Sequence, residues 1–146
     1  KGFDLTIFGQ GVAGNQVFQA IRRFDLPTAN YTKEALGRWV GEGSSNYFPR
    51  LVFNDPNQNF SRSSDFFLKK GDYFRIKTLQ IGYSFADNII RKAGLSKLRV
   101  YVMSNNLATF TKYTGFDPEI GGGSYGVDRG IYPQARSFMV GVNLGF

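Results

Sequence analysis

Apolar and polar residues alternate along four stretches of the chain with the two-residue period of a β-strand. In residues 3–12, Phe3, Leu5 and Ile7 fall on one side, continued by Gly9 and Gly11, while Asp4, Thr6 and Gln10 fall on the other, interrupted by Phe8. Successive strand side chains point to opposite faces, so the pattern predicts a strand with one apolar face. In the second stretch, 71–86, Leu79, Ile81, Tyr83 and Phe85 oppose Thr78, Gln80, Gly82 and Ser84. Its first half has the inverted phase, with Phe74 and Ile76 opposing Arg75 and Lys77. A β-bulge near Lys77–Thr78, or protrusion of the upper strand beyond a membrane, reconciles the halves. In the third, 97–111, Leu98, Val100 and Val102 alternate with Arg99, Tyr101 and Met103 until Asn105-Asn106 interrupts. The fourth, 137–146, sets Phe138, Val140, Val142, Leu144 and Phe146 against Met139, Gly141, Asn143 and Gly145.

The connections are long, short and long. Residues 14–64 carry Pro27, Pro49 and Pro56, many Asn, Ser and Asp, and one helical candidate, Thr32 to Val40. There Thr32 suits an N-cap, Glu34 the first turn, and Leu36, Trp39 and Val40 one face. About ten residues, Asp87 to Ser96, join the second and third stretches. A second long loop, 112–135, is Gly-rich between Gly121 and Gly130. A connection as long as the first is unusual in a compact soluble domain and normal outside a membrane barrel, where inner turns are short. With the last strand running inward, strand parity places both long loops outside and the short turn inside. The expected fold is therefore all-β: about four antiparallel strands of a transmembrane β-barrel, a fragment of a larger wall.

Composition agrees with strands apolar on one face only: hydrophobic residues reach 42%, aromatics 16%, with 18 Gly. No apolar run approaches the roughly 18 residues of a membrane helix, which excludes helical spans and leaves a barrel open. The net charge of +7 raises nucleic-acid binding, but the cations are scattered, with only pairs such as Arg22-Arg23 and Lys69-Lys70. No nucleic-acid partner is expected. The absence of Cys and His removes thiol nucleophiles, His bases and nearly every transition-metal site, so no metal, no cofactor and no enzyme activity is expected. The chain opens at Lys1, in a strand pattern without Met or signal peptide, and is read as a fragment.

Several motifs are set aside. Gly9-Gln10-Gly11-Val12-Ala13-Gly14 fits the dinucleotide fingerprint, with a possible helix over Asn15–Phe24 and an acid, Glu34, about 20 residues on. Asp4 and Thr6 in the preceding strand, Pro27 in the would-be crossover and the run of strands downstream oppose it. Asp55-Pro56-Asn57-Gln58-Asn59 starts like a calcium loop but has Phe60 and Phe66 where Gly and Glu are needed, leaving a turn-rich loop. The loop acids Asp117, Glu119 and Asp128 are expected to be solvated, with Asp117-Pro118 a turn starter rather than a glycosidase pair.

Ordered motifs along the chain carry a resemblance. Tyr73-Phe74-Arg75-Ile76-Lys77-Thr78-Leu79-Gln80-Ile81-Gly82-Tyr83-Ser84-Phe85, Leu98-Arg99-Val100-Tyr101-Val102, Asn105-Asn106-Leu107 and Thr111 through Glu119 resemble the last strands of SusC-like TonB-dependent outer-membrane transporters. So does the ending from Tyr132-Pro133 through Arg136 to Gly141-Val142-Asn143-Leu144-Gly145-Phe146, and the early Gly2-Phe3-Asp4-Leu5 and Arg38-Trp39 also fit. Phe146 resembles the aromatic signal read by the outer-membrane insertion machinery. The resemblance implies a plugged barrel, import of oligosaccharides or peptides, a SusD-like surface lipoprotein, and a TonB complex reached through a part not in this sequence. Leu5, Ile7, Leu79, Ile81, Val100, Val140, Val142 and Leu144 are then expected to face outer-membrane lipid. Asp4, Thr6, Gln10, Thr78, Gln80 and Asn143 are expected to face the lumen, with Asp4, Thr6, Gln10, Gln80 and Asn143 as substrate-binding candidates. The competing readings are a soluble β-sandwich that binds glycans through exposed aromatics, and a purely structural barrel or adhesin.

Overall fold

The structure is a computed structural model that describes residues 2–146 apart from Phe24, Pro27 and 121–124. Its strands are β1 (Phe3–Val12), β2 (Gln16–Gln19), β3 (Leu68–Lys70), β4 (Tyr73–Ser84), β5 (Lys97–Thr111), β6 (Val127–Asp128) and β7 (Ser137–Gly145). The four long ones form a single antiparallel sheet in the order β1-β4-β5-β7. Both long connections therefore leave from one end of the sheet and the short one from the other.

Register carries the alternation across the whole sheet. Leu5 pairs with Ile81, Ile81 with Val102 and Val102 with Val140, an apolar row four strands wide. The adjacent row, Thr6, Gln80, Met103 and Met139, points the other way. Among the described residues nothing covers the apolar side: Leu5 is 61% exposed and Val140 80%. This overturns the β-sandwich, whose inner faces bury such rows between two sheets.

Of the two explanations for the phase inversion, the structure has the bulge. Phe8 pairs with Thr78 but Gly9 with Ile76, so Lys77 is an extra residue on β4 relative to β1. On the far side Thr78 pairs with Asn105 and Ile76 with Ala108, so β5 is longer by one residue, and Asn106 there has φ 51°. The offset returns Phe74 and Ile76 to the side of Leu79 and Ile81, where Phe74 stacks on Phe110 at 6.5 Å between ring centroids.

The short connection is one helical turn, Asp87–Ile90, tightened by a 3-10 turn, Arg91–Ala93, and closed by Gly94 in the left-handed region at φ 74°. A Gly there bears none of the cost that a Cβ brings to this conformation.

The long connections correct the sequence reading. Residues 14–64 are not without a strand, because β2 pairs antiparallel with β3 and parallel with β6, binding the two long connections together. The same strand replaces the helix that a dinucleotide fold needs over Asn15–Phe24, while Pro27, invoked against that fold, lies outside the described residues. Thr32–Val40 is a 3-10 turn, Lys33–Gly37, and Thr32 makes no side-chain capping bond. Ala35, Phe48 and Phe60 form a small buried core with Leu51 and Phe66 against it. No sequence period marks this core, since its residues come from separate turns. Of the Gly-rich run Gly121–Gly130, residues 121–124 also lie outside the described residues.

Candidate functional site on the polar face

The strand side opposite the apolar rows carries the sequence candidates. Asp4 accepts from Arg99 Nε at 3.0 Å and Nη2 at 2.5 Å, a two-pronged ion pair linking β1 to β5 across β4. It passes over Gly82, where a Cβ would collide with both charged groups. Asn143 pairs in register with Arg99, and Thr6 with Gln80. Gln10 stands beyond the bulge, its side-chain amide donating to Tyr73 Oη at 3.5 Å. Thr78 Oγ1 donates to Asn105 Oδ1 at the same distance. The structure therefore gathers Asp4 and Asn143 around Arg99, sets Thr6 and Gln80 as neighbours, and keeps Gln10 apart. Phe146 follows β7 with its ring in the open, and its carbonyl accepts from Ser96 Oγ at 3.2 Å.

Sequence reasoning missed the most elaborate cluster on this face. Arg75 is 3% exposed, and its guanidinium donates to Asp117 Oδ1 at 2.6 Å, Glu119 Oε2 at 2.7 Å and Thr109 Oγ1 at 2.7 Å. Lys77 Nζ reaches the other Glu119 oxygen at 2.6 Å. Asp117, only 1% exposed, also accepts from the backbone N–H of Glu119 and of Gln134. Burial acts to raise its carboxyl, but the two N–H groups and the Arg75 guanidinium outweigh it and hold the pKa below the ordinary 3.8.

Asp128 is equally buried. It accepts from Tyr113 Oη at 2.6 Å and from the N–H groups of Gly130 and Ile131. Burial first, then the bond to Asp128, pushes the Tyr113 phenol above its ordinary value. The loop acids expected to be solvated are thus structural anchors: unpartnered burial of a carboxylate is costly, and each is paired. The available signal was Arg75 and Lys77 on a strand's polar phase with Asp117 and Glu119 in the following loop. Their meeting depends on how that loop folds back.

No cluster of three or more His, Cys, Asp or Glu that could hold a metal ion occurs among the described residues. The arrangement amounts to a fixed polar wall with an ordered loop assembly clamped to one end.

No family model matches the chain. Curated relatives do. TonB-dependent receptor P3 of Formosa agariphila is 30% identical over 100% of the chain, and TonB-dependent receptor SusC of Bacteroides thetaiotaomicron 33% over 100%. Over its whole length the chain is SusC-like, matching a section of these TonB-dependent receptors. Among solved structures, the RagAB peptide transporter superposes on the whole chain with a TM-score of 0.78 at 26% identity. The SusC-like chain spans about 15% of the length of the curated relatives it matches and 16% of the RagAB chain. Its sheet is accordingly a section of a barrel wall, which accounts for the uncovered apolar rows.

Proposed function

We propose that these strands form part of the barrel wall of a TonB-dependent importer in a Gram-negative outer membrane, taking up oligosaccharides or peptides with a SusD-like surface lipoprotein. The observation that carries this reading is the two-faced sheet: a largely exposed apolar side against a polar side of charge networks. A wall between lipid and an aqueous passage needs that division. In this reading the apolar rows meet lipid, and Asp4, Thr6, Gln10, Gln80 and Asn143 line the passage. Residues 14–64 and 112–135 stand outside, toward ligand and lipoprotein. The chain works by transport, without catalysis.

The test is an antibody raised against Lys1–Phe146, used to blot fractionated source cells, together with uptake of labelled oligosaccharides and peptides before and after loss of TonB. Expected are an outer-membrane band several-fold heavier than 16.4 kDa, released only by detergent, and uptake that stops without TonB. A soluble band near 16.4 kDa would overturn the membrane reading. Uptake indifferent to TonB would overturn energised import.

A further inference from the structure

Arg22 follows β2 at the entry to the first long connection, and it is a cation left without an anion. Its neighbour Arg23 is paired with Asp25, but Arg22 forms no salt bridge among the described residues. Its guanidinium carbon lies over the Tyr31 ring, 4.1 Å from the centroid. Its Nε is buried with no hydrogen-bond partner. A buried donor left unmade costs about 1–3 kcal/mol, and more on a charged group.

Arg22 also lines a cavity of about 300 Å³, together with Asn54, Gln58 and Ser61. That volume is at the small end of ligand sites and admits a single polar unit. One acid, Asp55, shares the lining, but both its carboxylate oxygens are engaged, accepting from the N–H groups of Asn59 at 3.0 Å and Phe60 at 2.8 Å. Glu34 borders a smaller adjoining cavity and does not pair with Arg22. The turn that carries the polar lining is held in an uncommon backbone conformation, with Asn54, Asp55 and Gln58 all at positive φ, and the Phe60 core lies beneath it.

We propose that this cavity is a carboxylate-binding subsite on the outer loop assembly, in which Arg22 pairs with an acidic group of the incoming substrate. A guanidinium presents a planar fork that matches a carboxylate, and stacking on Tyr31 holds that fork in place before the ligand arrives. The amides of Asn54 and Gln58 and the Ser61 hydroxyl are suited to the neutral polar atoms beside the charge. Acidic oligosaccharides and peptides with a free C-terminus both carry the required group. The proposal rests on the importer reading and deepens it by naming the substrate's charge.

The experiment uses the detergent-purified full-length transporter and two matched probe pairs: oligogalacturonate against its methyl ester, and tetraalanine against its C-terminal amide. The expected result is that one acidic probe binds at least tenfold more tightly than its neutral partner, and that the preference weakens with added salt. R22Q is expected to abolish the preference and R22K to retain part of it, both variants still migrating as folded barrels in unheated gels. Whichever pair shows the preference identifies the source of the carboxylate. Equal binding of acidic and neutral probes, no binding of either acid, or an unchanged preference in R22Q would overturn the subsite. TonB-dependent uptake by the wild type, scored separately, tells that failure apart from failure of the importer reading.

Discussion

Single residues decide how the outer loops attach to the wall. Arg75 neutralises Asp117 and Glu119 where water is nearly excluded, and removing one member of such a buried pair typically costs about 3–5 kcal/mol because the partner stays charged and uncompensated. Replacing Arg75 by Met in the full-length transporter is therefore expected to raise hydrogen exchange throughout 112–120 and 125–136 while β1 and β4 keep their protection. Unchanged exchange there would show that the clasp is ornamental.

The same residues set a pH response. Because the Asp117 carboxyl titrates below its ordinary 3.8 when folded, its contribution is complete above that value and is lost as pH falls through the depressed one. Tyr113 has the opposite sign: its contribution is complete below the ordinary 10.0 and is lost as pH rises toward the elevated folded value. Protease nicking of the second long loop should thus increase at both extremes, with the acid limb displaced in D117N and the alkaline limb in Y113F. A flat profile between strong acid and strong alkali would refute both assignments.

Among the elements, the paired bulge keeps each strand in phase with its neighbours. Without an extra residue at Lys77, the upper half of β4 would present Arg75 to the apolar side and Phe74 to the polar one, since a one-residue slip exchanges faces. Asn106 makes the matching offset in β5 at φ 51°, a region open to Gly and Asn but strained for β-branched side chains. N106G should therefore leave stability within about 0.5 kcal/mol, whereas N106V should lower it by about 1–3 kcal/mol, read from urea unfolding of the full-length barrel. Equal stability of the two variants would argue against a required left-handed residue. Gly141 plays a different part: the Tyr101 ring lies across it, occupying the place where a Cβ would stand.

At the scale of the whole molecule, the two sides of the sheet call for different solvents. An Arg facing lipid costs about 2–4 kcal/mol at the bilayer midplane, while substitutions on the passage side are far milder. V140R, mid-strand in β7 on the apolar side, is expected to reduce assembled transporter in the outer membrane sharply. T6R, on the polar side of β1, should assemble normally. Similar assembly of both would mean that the apolar rows do not face lipid. The two long connections are tied together where β2 pairs with β3 and β6. A docking lipoprotein or substrate would meet a preformed surface carrying the Arg22 cavity.

Much of this was legible in the sequence wherever a period existed. Alternation located the four wall strands and sorted Leu5, Ile81, Val102 and Val140 from Thr6 and Gln80, because the two-residue period of a strand is a local property of the chain. The inverted phase of 71–86 and the Asn105-Asn106 interruption even marked the bulge, although alternation could not choose between a bulge and a protruding strand. What lacks a period was not legible. The Phe48–Phe60–Phe66 core, the β2–β6 pairing, the Arg75–Asp117–Glu119 clasp and the Arg22 cavity each unite residues from distant turns. The sequence by itself therefore determined the four wall strands, their faces and the family likeness. Only the tertiary structure decided which charges meet, because ion pairs and cavities depend on where loops return in space, and no local repeat encodes that return.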